Sequence, residues 1–338
     1  MTVQNTSLES SHYPVMLNEV IKICAPEKGG KFVDCTFGGG NYSSALLEFP
    51  NTKVIALDRD KSVLKKAKEI KKNFKERFYF FNEKFSNLET ILCKEDKADA
   101  IIFDLGISTF QLQDMSRGFS FKSKDNLDMN MGLSSLSAEY IINNFNEKNL
   151  KLIIKIFGNE KEASKIVKNI LKARKIKKIT KVSDLVKIIE NSKKKDYSKK
   201  INVCTKTFQA LRIFVNKETT ELIEGIIKAT KHVKSGGKII IISFHSIEDK
   251  IVKYFFSNYS KNKSKPSRYL PEENESNAIF FENYKNSILK PSLEELVKNS
   301  PSRSAKLRYA VRNSNEFFIP EKFKDKFKKY VYLEAVNE

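Results

Sequence analysis

Apolar residues along this chain come in short runs that alternate with stretches of helical spacing. Lys31-Phe-Val-Asp-Cys-Thr-Phe37 reads as a first strand running into Gly38-Gly39-Gly40, after which Ser43 to Glu48 starts a helix. Lys53 to Asp58 reads as a second strand, and Val63, Leu64, Ala67 and Ile70 give Lys61 to Lys72 an apolar helical stripe. Arg77 to Phe81, Ala98 to Asp104 and Lys238 to Ser243 supply three more strands, the last after the turn Ser235-Gly-Gly237. Short apolar strands separated by amphipathic helices imply a mostly parallel α/β sheet covered on both faces.

The alternation breaks between the fourth and fifth strands. From Ser137 to Lys200 the pattern is helical and lysine-rich, at Asn149 to Phe157, Glu160 to Arg174 and Ser183 to Ile189. That is too long for one crossover and predicts an inserted helical domain at 137–205, the sheet domain being built from 1–136 and 206–338. Asn191 to Lys200 reads as a solvated loop, and Ser257 to Asn286 as a long basic one.

Composition adds a core and a charge to this outline. The 25 phenylalanines and 40% hydrophobic content can fill a real core. Lys and Arg exceed Asp and Glu by 62 to 41, a formal charge of +21 that favours polyanionic partners. Much of the excess is lysine beside abundant Ile and Asn, a pattern that biased base composition also produces. The first residues carry no basic and apolar signal pattern, and no run is long enough to span a bilayer, so the expectation is a cytoplasmic protein. The cysteines Cys24, Cys35, Cys93 and Cys204 are scattered, which argues against a zinc site or disulfide framework.

Chemistry concentrates at the strand ends. Asp34-x-Thr-x-Gly38-Gly39-Gly40 closes the first strand with a turn that brings backbone N–H groups close to a ligand. Asp58, ending the second strand, can accept hydrogen bonds from both hydroxyls of a ribose. Dinucleotide enzymes and methyltransferases share this pair. Ser43 breaks the dinucleotide GxGxxG pattern, however, and Asp104-Leu-Gly-Ile-Ser108 puts polar groups at the same sheet edge, which favours a methyltransferase.

Several longer segments then carry a resemblance: His12-Tyr-Pro-Val-Met-Leu-Asn-Glu19, Asp104 to Gln111, Arg117 to Phe121, Leu127-Asp-Met129, Thr207 to Ile213, Ile242 to Asp249 and Pro301 to Arg308. In this order the chain resembles the bacterial 16S rRNA (cytosine-N4) methyltransferase family. The resemblance implies a Rossmann-like class I fold with a helical insertion, S-adenosylmethionine as cofactor, and methylation of a decoding-centre cytidine. It also implies 16S rRNA within the small (30S) ribosomal subunit as partner, with a monomer or homodimer left open. A non-catalytic ribosome-assembly factor on the same fold is the alternative.

By that resemblance the cofactor residues are Gly40, Asn41, Tyr42, Asp58, Phe85, Asp104 and Gln111. Asn41 and Tyr42 stand where the family has Gly and His; Asn130 and Asn202 to Lys206 also depart from its pattern, on the substrate side. Asp104 is the expected catalytic residue, orienting the cofactor or the amine, with Ser108 and His245 as further candidates. Phe119, Phe121 and Phe244 could stack on an extruded base, and Arg212, Arg303, Lys306 and Arg308 could contact phosphate. No cysteine follows a proline, which disfavours carbon-5 methylation. His12 is expected to anchor the N-terminal segment over the cofactor and His232 to lie at the surface. No metal is expected.

Overall fold

The computed structural model describes residues 14–92, 97–193, 202–261 and 279–336. Six strands form one sheet in the order β3-β2-β1-β4-β5-β6. They are β1 (Gly30–Asp34), β2 (Thr52–Leu57), β3 (Phe78–Phe81), β4 (Ala98–Asp104), β5 (Val233–Ser243) and β6 (Lys306–Val311). All pairings are parallel except that of β5 with β6. The five expected strands are present with shifted ends. The first stops at Asp34 because Phe37 already belongs to the glycine turn, and the fifth begins at Val233, running through the register shift beside Ala98 and Ala100. β6 went unanticipated.

Alternate strand residues explain why helices must cover both faces. Phe32, Val54, Ala56, Ala100, Ile102, Ile240 and Ile242 face one core, beside α1 (Leu17–Cys24), α2 (Asn41–Leu47) and α3 (Leu64–Phe74). Val33, Ile55, Leu57, Ile101, Phe103, Ile239 and Ile241 face the other. Strands apolar on both sides can be satisfied only by two layers of helix. After β3 and β4 come two short helices, α4 (Leu88–Ile91) and α5 (Thr109–Gln113).

The stretch between β4 and β5 is helical, as its spacing predicts. It holds α6 (Ala138–Asn144), α7 (Glu147–Phe157), α8 (Ala163–Ile176) and α9 (Val182–Ser192), then α10 (Thr205–Asn216) and α11 (Glu218–His232). Ser137 and Asn146 cap α6 and α7, accepting N–H bonds from Tyr140 and Asn149. Leu150, Ile153, Ile154 and Phe157 bury one face of α7, and α8 turns Ile166, Val167 and Ile170 inward, all within the core that covers the sheet. Most of the expected loop at Asn191 to Lys200, the central part of Ser257 to Asn286, and His12 and Cys93 lie outside the described residues.

Three helices complete the described chain: α12 (Ser246–Asn258), α13 (Leu293–Lys298) and α14 (Glu321–Glu334). At the end of α14, Glu334 is buried and accepts bonds from the N–H groups of Thr219 and Thr220 at 3.0 and 2.8 Å. It thereby supplies the cap that α11 lacks locally, since Lys217 gives no side-chain cap. Burial, opposed by the bonds from both threonines, pushes Glu334 up to about 7. His232, expected at the surface, is buried where α11 meets β5. Among the described residues no helix is long and apolar enough to cross a membrane.

Candidate active site

The carboxyl ends of β1, β2 and β4 open onto one pocket, where crossovers leave a sheet of this kind free to bind a ligand. The turn after β1 is set by backbone geometry. Gly40 caps α2 at φ 74°, and a Cβ there would stand 2.6 Å from Ile70 Cδ1 and 2.8 Å from Phe37 Cζ, so only glycine fits. Asp34 is fully buried beneath the turn, accepting from Ser43 Oγ at 2.7 Å and from Thr36 N at 3.3 Å. Asn41 and Tyr42 begin α2, Asn41 at the pocket wall.

Asp58 reaches the same turn from β2. Its Oδ2 accepts the Gly38 N–H at 2.8 Å and its Oδ1 the Asp60 N–H at 2.8 Å. Each oxygen keeps lone-pair capacity toward the pocket, which suits two vicinal hydroxyls. Burial pushes Asp58 up to about 6 against the pull of those two amides. Phe85 lies on the pocket wall, edge-on to Phe103 at 5.3 Å. It can sit there because α11 carries Gly225, where a Cβ would come within 2.6 Å of Phe85 Cδ2.

Gln111 also lines the pocket, but both ends of its amide hold the fold together. Its Oε1 accepts from Ser108 N at 3.0 Å and its Nε2 donates to Asp60 Oδ2 at 2.7 Å. Ser108 caps α5, its oxygen accepting the Gln111 N–H at 3.2 Å. Its hydroxyl is thus engaged in helix capping rather than standing free as an acceptor. Asp60 is the hub beneath them: burial acts to raise it, yet bonds from Arg117, Ser62 and Gln111 outweigh this and hold it below the usual carboxylate range.

Asp104 differs from every other acid here. Its backbone N–H is fixed by Thr36 Oγ1 at 2.7 Å, and Tyr42 Oη lies 3.2 Å from its Oδ2. Its Oδ1 is buried without a hydrogen-bond partner. Burial, with the nearby acids Asp34, Glu248 and Glu295, pushes it up to about 8 despite the Tyr42 bond.

Opposite lies the start of α12. Glu248 Oε2 accepts from Phe244 N at 2.8 Å and His245 N at 3.2 Å, and His245 caps the helix in return. His245 Nε2 approaches Glu248 Oε1 at 3.0 Å. These two and Glu218 bring ligand-type atoms within 4.8 Å of one another, but Arg212 binds both oxygens of Glu218, at 2.8 and 2.9 Å, so the group is a side-chain network in which Glu218 is already paired. His245 is held inside that network, beside the pocket wall rather than free within it.

The substrate-side candidates separate. Phe244 lines the pocket. Phe119 does not: it is buried in the core beneath Arg117. Phe121 packs edge-on against Phe208 at 6.4 Å. Arg303 is exposed, next to Pro301 on the pocket rim. Arg308, expected at a phosphate, is only 2% exposed and instead binds Asp249 at 2.8 Å and Tyr284 Oη at 2.9 Å. Lys306 shares Asp249 at 3.0 Å, and Arg212 is committed to Glu218 as above. Sequence order could not reveal these acidic partners. Asn130, one of the departures, ties its own loop together by donating to Ser134 O at 2.8 Å and accepting from Gly132 N at 2.7 Å.

Site residues that the sequence reading did not single out are Asp60, Glu221, Gly225 and Glu248. The capping-box spacing from His245 to Glu248 was a visible signal for one of them.

This sheet order, with a glycine turn facing a strand-end acid, defines a Rossmann-like class I methyltransferase fold. The chain belongs to the MraW methylase family, whose model matches residues 9–313. It is 40% identical to a protein of Ehrlichia canis named ribosomal RNA small subunit methyltransferase H, across 89% of this chain and 99% of that one. A Rickettsia bellii protein of the same name is 42% identical, across 90% of this chain and 100% of its own length. Among solved structures, an rRNA methylase from Streptococcus thermophilus is similar at a TM-score of 0.40 and 11% identity, covering 91% of this chain and 100% of that one.

Proposed function

We propose that the chain transfers a methyl group from S-adenosylmethionine to N4 of a decoding-centre cytidine of 16S rRNA, within the small ribosomal subunit in the cytoplasm. The observation that carries this reading is the unpartnered Asp104 Oδ1, buried in the same pocket as the Gly40 turn and Asp58. The two parts fit the cofactor: Gly38, Gly39, Asn41 and Asp58 line the pocket and would hold the nucleoside and its chain, Gly40 shapes the turn behind them, and Phe85 would flank the base. When bound, the cofactor supplies an electrophilic methyl on a sulfonium.

The cytosine amine is a weak nucleophile because its lone pair is delocalised into the ring. A carboxylate that accepts one of its N–H groups lets the nitrogen pyramidalise, and Asp104, when ionised, is that acceptor. Once the nitrogen has taken the methyl group, Asp104 would accept the surplus amine proton and pass it to water. Phe244 supports the base face, and Glu248 and His245 keep that wall rigid. Because the base must leave its stack to arrive here, phosphate contacts must hold the flanking strand.

Two features fit that need. Arg303 is exposed at the rim, and Lys165, Lys168, Lys172 and Lys175 form one exposed stripe along α8, spanning about 15 Å. We therefore read the helices at 137–205 as the RNA-recognising unit of the protein. The test is mass spectrometry of small-subunit rRNA from cells lacking this gene, with purified protein and cofactor added back to subunits from those cells. N4-methylcytidine should vanish and then return. Its persistence in the deleted strain would refute the proposal.

A further inference from the structure

Three oxygens meet beneath the pocket: Tyr42 Oη, the Val15 carbonyl and Asp104 Oδ2. Tyr42 is only 4% exposed, and its hydroxyl bonds the Val15 carbonyl while lying 3.2 Å from Asp104 Oδ2. A phenol has one hydrogen. The carbonyl can only accept, and an ionised carboxylate can only accept. Both contacts are therefore hydrogen bonds only when Asp104 carries a proton and donates it to Tyr42.

The surroundings favour that proton. The charged groups acting most on Asp104 are all acids: Asp34 from β1, Glu248 from α12 and Glu295 from α13. Burial first, and then Asp104 and Asp34, push the Tyr42 phenol well above its usual range, so it stays protonated. Pro14 and Val15 line the pocket, and the next amide, Met16 N, is held by Glu295 Oε1 at 2.9 Å.

We infer that Tyr42 is a positioning residue that ties the charge state of Asp104 to the docking of Pro14–Met16 on the pocket. With Asp104 neutral, protons run in one direction: Asp104 donates to Tyr42, and Tyr42 to Val15. When Asp104 ionises, the phenol hydrogen turns to the carboxylate. The Val15 carbonyl then loses its partner, and the segment loosens. A cation entering the pocket drives the same change, because it favours the ionised acid. That extension rests on the function proposed above; the relay itself belongs to the ligand-free protein. A tyrosine that merely fills the core would pack the same way but would show no dependence on pH.

The experiment is amide hydrogen exchange of residues 15–20 in the ligand-free full chain between pH 6 and 9.5, corrected for intrinsic rates. In the wild type, protection should fall about tenfold as pH rises through the Asp104 transition near 8. Tyr42→Phe keeps the ring and loses the hydroxyl, and should show low protection at every pH. Asp104→Asn can still donate to Tyr42, and should show high protection at every pH. A wild-type profile without the step overturns the inference. So does a step that survives in Tyr42→Phe, since it would then belong to Glu295.

Calorimetry at pH 7 in buffers of different ionisation enthalpy tests the extension separately. Cationic S-adenosylmethionine should release close to one proton on binding, and neutral S-adenosylhomocysteine far less. Equal release by both would overturn the link to the cofactor while leaving the exchange result standing.

Discussion

The two ends of the pocket are built by different means. At the β1–β2 end, the Gly40 turn and Asp58 are held by backbone: Gly38 N and Asp60 N bond the two oxygens of Asp58 directly. At the β4–β5 end, Asp104 is left with an unpartnered oxygen among acids that arrive from β1, α12 and α13. The first end is a cradle made rigid by backbone amides. The second stores an unmet demand for a proton, a donor or a cation, which is what a group must have if its charge is to change during turnover.

The sharpest way to break this contrast is Asp104→Ala. Methyl incorporation into small subunits should fall by on the order of 10²–10⁴-fold while RNA binding persists. Near-wild-type turnover would mean that the open end is not the reacting one. Asp58→Ala acts on the rigid end, and should weaken S-adenosylmethionine binding by about 1–3 kcal/mol in calorimetry, through unpaired ribose hydroxyls. Unchanged affinity would remove Asp58 from the cradle.

An effect of comparable size is that of pH on stability. Asp104 is raised to about 8, and Asp34 and Asp58 to about 6, by burial before any other cause. Groups raised in this way favour the fold fully below their unfolded values near 4, and that stability is lost as pH rises through the folded values. The urea midpoint of the ligand-free wild type should therefore drop between pH 6 and 8, where Asp104 acts with a slope of at most about 1.4 kcal/mol per pH unit. Asp104→Asn should flatten that part of the curve; an unaltered slope would assign it to Glu334, which is raised to about 7.

The rigid end was also the legible one. A glycine run after a strand and an acid at the end of the next strand are local features, and backbone geometry alone gives them meaning. The open end depends on meetings between distant segments. Tyr42 read only as a cofactor residue standing where the family has His, yet its hydroxyl matters because Val15 and Asp104 converge on it. Arg308 read as a phosphate ligand because it lies in one of the family-like segments, but Asp249 lies 59 residues away along the chain and claims it. Charge along a sequence gives sign and abundance; whether a cation is already paired depends on tertiary contact. β6 was missed for a related reason, since a buried arginine interrupts its apolar pattern.

The cap that Glu334 places on α11 has a consequence for how the protein is made. Thr219 and its partner carboxylate are 115 residues apart. On a translating ribosome, the first turn of α11 emerges long before the group that completes it. Glu218 and Glu221 flank these threonines and line the pocket, so that wall cannot reach its final form until α14 has been synthesised and docked. The last tie on this wall of the pocket is thus made late in the synthesis of each chain.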